Sequence, residues 1–286
     1  MKYWIVGTLL VVLAAVAWYL YDTAAPTVEE TVVPGPTLPL QEREPPPEVT
    51  APEVTEPAIA EPLPESEPLA GEPALPALAE SDDEALRSLS EVVDGTTPVE
   101  RYVVEEDVIA RIVATVDALD GKQVPEAIQA VQGPGGAFEA TPDDQPDEVI
   151  LNDLGDPVPQ FQLNPANYRR YTPYVAMLES VNADGLARAY RAYQPLFEEA
   201  FDQLGYPDSD FEERLLKVID DALAAPEPER PIQLIKPEAY FLFADEDLET
   251  LNAAQKVMLR MGPDNAARVK AKLAEIRAAL AADERG

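Results

Sequence analysis

The sequence predicts a mainly α protein in three parts. Residues 1–22 form a single-pass transmembrane helix. Residues 23–80 form a disordered Pro/Glu-rich linker. Residues 81–286 form a multi-helix globular domain with one or two small β-hairpin elements. Three observations predict this layout. No charged side chain occurs from Tyr3 to Tyr21. Fourteen prolines fall between Pro26 and Glu80. Beyond Glu80, apolar residues recur at intervals of three and four behind helix-capping boxes.

The amino-terminal run is "YWIVGTLLVVLAAVAWYLY". As an α-helix it covers about 28 Å, close to the hydrocarbon thickness of a bilayer. Tyr3 and Trp4 stand at one end, and Trp18, Tyr19 and Tyr21 at the other. Amphipathic rings at both ends suit the two membrane interfaces. Lys2 precedes the run, and Asp22, Glu29 and Glu30 follow it. Basic residues stay on the cytoplasmic side, so the bulk of the chain is expected to be exported. The competing reading is a cleaved signal peptide, for which Ala15-Val16-Ala17 offers a site. Cleavage there would discard the distal aromatic ring set.

In the linker, proline fixes φ and removes a backbone donor, so neither helix nor sheet propagates. Glutamates repel one another along it. The expected state is extended, with polyproline II character, and its some 55 residues reach on the order of 170 Å at full stretch. A plain spacer and a ligand for a proline-binding partner are both compatible with this composition.

The elements of the domain follow in order. Ser81-x-x-Glu84 is a capping box opening a helix through Leu86, Leu89 and Val93. Thr97-Pro98-x-Glu100 is another, ahead of Val108, Ile112, Val116 and Leu119. "EVILND" and "QFQLN" flank Gly155-Asp156 and read as a hairpin. Asn164-Pro165 starts a helix that Pro173 kinks or breaks. Leu186, Tyr190, Tyr193, Phe197, Phe201 and Leu204 give the next helix one apolar face, ended by Gly205 in a left-handed cap. Ser209-x-x-Glu212 opens another helix, "PIQLI" and "AYFLF" are β-prone, and Asn252-x-x-Gln255 is a fourth box. Gly262-Pro263 separates two helices, the last carrying Ala266, Val269, Leu273, Ile276 and Leu280.

Composition excludes much. The net charge of -33 repels nucleic-acid phosphates, so no nucleic-acid partner is expected. The chain has no Cys and no His. Disulfides, thiol nucleophiles, imidazole bases and ordinary zinc ligands are thereby removed, and no cofactor or metal site is expected. Carboxylate, Ser, Tyr or Lys chemistry remains, as does hard-cation binding through oxygen ligands.

Against this charge, "QKVMLRMGPDNAARVKAKLAEI" is a basic island. At 100° per residue, Arg268 and Lys272 share one flank of the apolar stripe, and Lys270 and Arg277 the other. Long basic side chains so placed border a buried face and pair with the domain's own acids. Alternatively they form an anion-facing patch beside the helix start at Pro263, which Asp264 opposes. "YRRY", Tyr168 to Tyr171, is a second basic cluster, suited either to stacking on a ligand or to a helix with Tyr inward and Arg outward. Arg169, Arg170, Arg260, Arg268 and Lys272 are the expected ligand or partner contacts. Asp208, Asp210 and Glu212 are the compact acidic set, read either as helix caps or as a carboxylate site.

"NPANYRRYTPYVAMLESV", "RAYQPLFEEAFDQLGYPDSDFEERLLKVIDDAL" and the basic island together resemble the bacterial family known as domain of unknown function 3014. The resemblance spans most of residues 81–282 and is most specific at Tyr168–Tyr171, Gly205–Phe211 and Leu259–Asn265. It implies an anchor, a Pro-rich stretch and a helical domain in the bacterial envelope, and no activity or catalytic residue. The layout also resembles TonB-like coupling proteins, but the membrane run lacks their His. The function expected is therefore a non-enzymatic envelope binding or scaffolding protein of the inner membrane. Its partner is an envelope protein or an anionic envelope polymer. A carboxylate-dependent cell-wall hydrolase and a TonB-like periplasm-spanning coupler are the alternatives.

Overall fold

The most apolar helix of the domain becomes its centre. Val108–Asp120 buries Ile109, Ile112, Val113, Val116 and Leu119 together with its small residues, so it has almost no solvent face. A helix apolar all round belongs inside, and each large side chain so buried contributes about 1.5–3 kcal/mol. The structure, a computed structural model, describes residues 75–93, 99–146, 148–152, 154–207, 209–229, 231–238 and 240–282. The predicted membrane run, the linker up to Ala74 and the Thr97-Pro98 cap lie outside them. Among the described residues no helix is long and apolar enough to cross a membrane.

Eight helices and four short strands are described. The helices are α1 (Asp82–Val92), α2 (Val108–Asp120), α3 (Tyr168–Glu179), α4 (Ala183–Gln203), α5 (Phe211–Leu223), α6 (Glu246–Glu249), α7 (Ala253–Arg260) and α8 (Pro263–Ala282). The strands are β1 (Ala140–Pro142), β2 (Gln160–Leu163), β3 (Gln233–Ile235) and β4 (Leu242–Phe243). Helix α2 packs on α1, α4, α5 and α7, while α8 packs on α3, α4, α5 and α7. The expected α8 stripe of Ala266, Val269, Leu273, Ile276 and Leu280 is buried throughout. Between the two, α4 and α5 supply an aromatic cluster in which the Phe197 and Phe211 rings stack at 5.5 Å.

The expected hairpins give way to one antiparallel sheet in the order β1-β2-β3-β4. "QFQL" pairs with Ala140–Pro142 on one side and Gln233–Ile235 on the other. Phe161, Leu234 and Phe243 stand side by side across three strands and cover a second, smaller core with Leu259. "EVILND" does not pair with "QFQLN". It makes one bridge, Leu151 to Pro157, and a tight turn in which the Asn152 carboxamide accepts from Leu154 and Asp156. Val149, Leu151 and Leu154 are exposed there. The segment read as one arm of a hairpin is here a turn closed by a single bridge.

Several helix ends differ from expectation in instructive ways. Ser81 is fully buried and donates its hydroxyl to the Leu78 carbonyl, so it does not cap α1. Its neighbour Asp82 caps α2 from a distance, accepting from the Asp107 and Val108 N–H groups at 2.9 and 2.8 Å. Asp210, not Ser209, caps α5, accepting from Glu212 N at 2.7 Å. Helix α3 runs through Pro173 unbroken; Pro173 is exposed, and the carbonyl it leaves free belongs to exposed Arg169. Leu204 falls past the end of α4 and is 44% exposed. The Asn252–Gln255 capping box forms as expected, and Gly205 adopts φ +105°.

Asp82→Ala should cost about 1–2 kcal/mol, the usual loss of an N-cap. The check is the urea midpoint, which should fall at unchanged slope, with Asp82→Asn close to wild type. An unmoved midpoint would mean that α2 needs no cap.

Candidate functional site

Two of the segments singled out in the sequence meet at one junction. Pro165 opens a single 3₁₀ turn capped by the Asn164 carboxamide, and α3 follows it directly. Asn167, fully buried, accepts from Glu139 N at 3.0 Å and donates to the carbonyls of Glu139 and Asn164. That fixes the direction in which Tyr168 leaves the backbone. Its ring lies on Gly262, so close that a Cβ there would sit 2.5 Å from ring carbons. Asn265, one turn into α8, donates to the Tyr168 carbonyl at 2.8 Å and the Met261 carbonyl at 3.0 Å. Only glycine, with φ +84°, allows this approach of the α7–α8 turn to the start of α3.

Above the junction opens a cleft of about 350 Å³. One wall is Tyr168, Pro165, Met258 and Leu259, and the other is Pro226–Glu229 with Pro231 and Ile232. Among the described residues, Glu227 and Glu229 are the charged groups of its lining. Lys270 pins this second wall, donating to the Ala225 carbonyl and the Glu227 carboxylate, both at 2.7 Å. Helix α7 separates the cleft from a smaller cavity of about 90 Å³, into which Lys256 and Arg260 point from another face of the same helix.

The five predicted contact bases have different surroundings. Arg169 is exposed. Arg170 donates to the carbonyls of Pro134, Gly135 and Gly136 and fastens that loop to α3. Arg260 is buried, its guanidinium 5.2 Å from the centre of the Phe243 ring. Arg268 forms a fork on Glu179, and Lys272 donates to the Val181 carbonyl and to Glu275. Arg268 and Lys272 are thus brought together at the α3–α4 corner. Lys270 and Arg277, the other flank, reach the α5 side, Arg277 pairing with Asp220. The island is built largely as a set of clamps between α8 and its neighbours. Arg268 holds the Glu179 carboxyl below its usual range, and Arg277 does the same for Asp220.

Residues 108–277 match the sequence model of a family described as "Protein of unknown function (DUF3014)". The chain belongs to the DUF3014 family. Comparison with curated proteins and with solved structures finds no match. The DUF3014 match begins at the first residue of α2 and takes in every residue that lines the cleft. The Tyr168–Gly262 junction is therefore a property of the DUF3014 domain rather than of its appendages.

The acidic set has a structural setting of its own in the DUF3014 domain. Asp208 lies outside the described residues. Asp210 is a cap, and Glu212 is buried in the first turn of α5. Glu198 of α4 accepts from Phe211 N at 3.1 Å and lies close to Asp210. Tyr190 faces the same acids, and burial foremost raises its phenol well above the ordinary value. No carboxylate cluster among the described residues is arranged to hold a metal ion. Sequence reading passed over Glu198, and also Glu249 and Lys122 around the small cavity, while Lys256 was noted as part of the basic island but not among the expected contacts. Glu198 sits on the apolar stripe's edge beside Phe197, which was the available signal.

Burial raises the Glu198 carboxyl above the ordinary carboxylate range, and the negative charge of Asp210 adds to that. A raised folded value means that the folded state holds this proton more tightly than the unfolded chain. The fold therefore loses stability through Glu198 as pH rises from the unfolded value of about 4.3 through the folded one. Glu198→Gln keeps an acceptor for Phe211 N and removes the charge. The variant should be more stable than wild type near neutral pH, and the difference should vanish near about pH 4. Equal differences at both pH values would contradict this assignment.

Proposed function

We propose that this DUF3014 protein is a non-enzymatic binding protein of the bacterial envelope that holds a partner protein in the cleft over Tyr168. Residues 1–22 anchor it in the inner membrane with the amino terminus in the cytoplasm. The Pro/Glu-rich stretch acts as a tether that ends before Leu78–Glu80, which form a 3₁₀ turn on the domain, and the helical domain works in the periplasm. The cleft carries the reading. Its walls are proline, tyrosine, leucine and methionine, a lining suited to an extended peptide whose own side chains are apolar or proline. Glu227 is already paired with Lys270, which leaves Glu229 to favour a basic residue beside that segment and to disfavour the chain's own Glu-rich linker as occupant. The exposed Val149, Leu151 and Leu154 on an ordered turn offer a further apolar surface to a protein partner. Arg169, next to Tyr168 in sequence, is exposed.

A tether raises the local concentration of the domain around partners within its reach, so a modest cleft is enough. The test is photo-crosslinking in living cells with a probe in place of Glu229 and a control probe in place of Lys217, on α5 outside the cleft lining. The expected result is a discrete adduct with one envelope protein from residue 229 only. The same adducts from both positions, or none from either, would contradict the cleft as a docking site.

A further inference from the structure

Between Lys122 and Arg169 the sequence holds eight acids and no base. Six of those acids fall from Asp143 to Asp156, around the turn that carries Val149, Leu151 and Leu154. The three apolar side chains are 55%, 55% and 86% exposed. A single exposed apolar residue is ordinary, but three within six positions form a patch that needs a reason. The turn that carries them is held firmly. The Asn152 carboxamide accepts from Leu154 N and Asp156 N at 3.0 and 2.9 Å, and Asn152 N–H donates to the Asp156 carbonyl at 2.9 Å. Gly155, at φ +82°, donates to the Asn152 carbonyl. Val158 N–H donates to the Ile150 carbonyl, and the Gln160 carboxamide to the Glu148 carbonyl. Val158 is buried and Ile150 half-buried, which seats the turn while the other three side chains stay in solvent. None of these bonds needs an apolar side chain at 149, 151 or 154, and a polar one would serve the fold as well.

We propose that the turn at Val149–Leu154 docks into an apolar pocket of a partner protein, and that Lys and Arg side chains rim that pocket. The acids choose the occupant. Glu148 and Asp156 are exposed on either side of the apolar residues, and neither forms an ion pair with a described residue. Elsewhere in the domain acids are clamped by bases, Glu179 by Arg268, Asp220 by Arg277 and Glu227 by Lys270. Here the local sequence supplies no base, so the complementary charge has to come from the partner. A membrane surface is anionic and is repelled. A second copy of the chain brings the same acids, and the Pro/Glu-rich stretch is acidic too. A basic-rimmed apolar pocket meets both needs, taking Leu154 as its anchor and facing Glu148 and Asp156 with cations. The turn is already ordered, so docking costs it little conformational entropy. This inference rests on the reading of the chain as a binding protein, but not on the cleft over Tyr168, with which the turn shares no residue.

The test places a photo-reactive leucine analogue at Leu154 of the full chain in living cells. The expected result is one discrete adduct with a second protein, its crosslink mapped beside Lys or Arg. Glu148→Lys together with Asp156→Lys, both at exposed positions, should cut the adduct at least about fivefold. Changing the mapped bases of the partner to Glu should then restore it, because the charges are again opposite. A lipid adduct, an adduct with a second copy of the chain, no adduct, a yield indifferent to the double change, or a failure of the charge swap to restore it would each overturn the proposal. The cleft is tested separately by the probe at residue 229. An adduct from 229 with none from 154 removes this docking surface and leaves the cleft standing. The reverse supports the turn and removes the cleft alone.

Discussion

Gly262→Val is expected to lower stability by more than about 3 kcal/mol, the range of the severest point changes. Two costs add. Gly262 sits at φ +84°, where an L-residue is strained by about 1–2 kcal/mol and a β-branched one by more. The second cost is the Tyr168 ring, 2.5 Å from where Cβ would be. The ring cannot simply withdraw, because Asn265 holds the Tyr168 carbonyl and Asn167 holds the turn before it. Gly205 provides the internal control. It has φ +105° and open space around the missing Cβ, so Gly205→Ala carries backbone strain alone. In chemical denaturation Gly262→Ala should cost clearly more than Gly205→Ala. Equal losses would mean that the ring yields and the junction is looser than described.

Glu249→Ala is expected to cost about 3 kcal/mol, at the low end for breaking a buried ion pair. It removes the partner of Lys256, whose side chain is 7% exposed, and leaves Phe243 N–H without its acceptor. Glu249 itself is 31% exposed, so water relieves part of the loss. Lys256→Met removes the same pair without leaving a buried cation and should cost far less. Adding Lys256→Met to Glu249→Ala should therefore restore stability, a non-additive result for residues in contact. Simple additivity of the two changes would show that the pair carries little energy.

Much of the helical frame was legible because apolar spacing is a direct record of burial. The stripes of α4 and α8 needed only the 3.6-residue period, and the Asn252–Gln255 box needed only adjacent residues. Failures came where a side chain serves a neighbour distant in sequence. Asp82 lies inside the apparent Ser81–Glu84 box, yet its oxygens go to the start of α2. "QFQL" was read as pairing with the segment before it, but its partners are Ala140–Pro142 and Gln233–Ile235. The basic island was legible in its flanks, Arg268 with Lys272 and Lys270 with Arg277, because helix geometry alone sets those pairs. Their partners, Glu179, Glu227 and Asp220, belong to other elements, which no local pattern reveals. The two cavities were invisible for the same reason: each is assembled by packing from segments that sequence alone keeps apart.

The proposed function depends on geography: we propose that residues 1–22 anchor the chain and that the DUF3014 domain works on the far side of the inner membrane. The direct measurement fuses alkaline phosphatase, active only outside the cytoplasm, after Gly286, and runs membrane fractionation in parallel. The account predicts an active enzyme that sediments with inner membrane and is released only by detergent. An inactive fusion, or an active one found soluble in the periplasmic fraction, would contradict it.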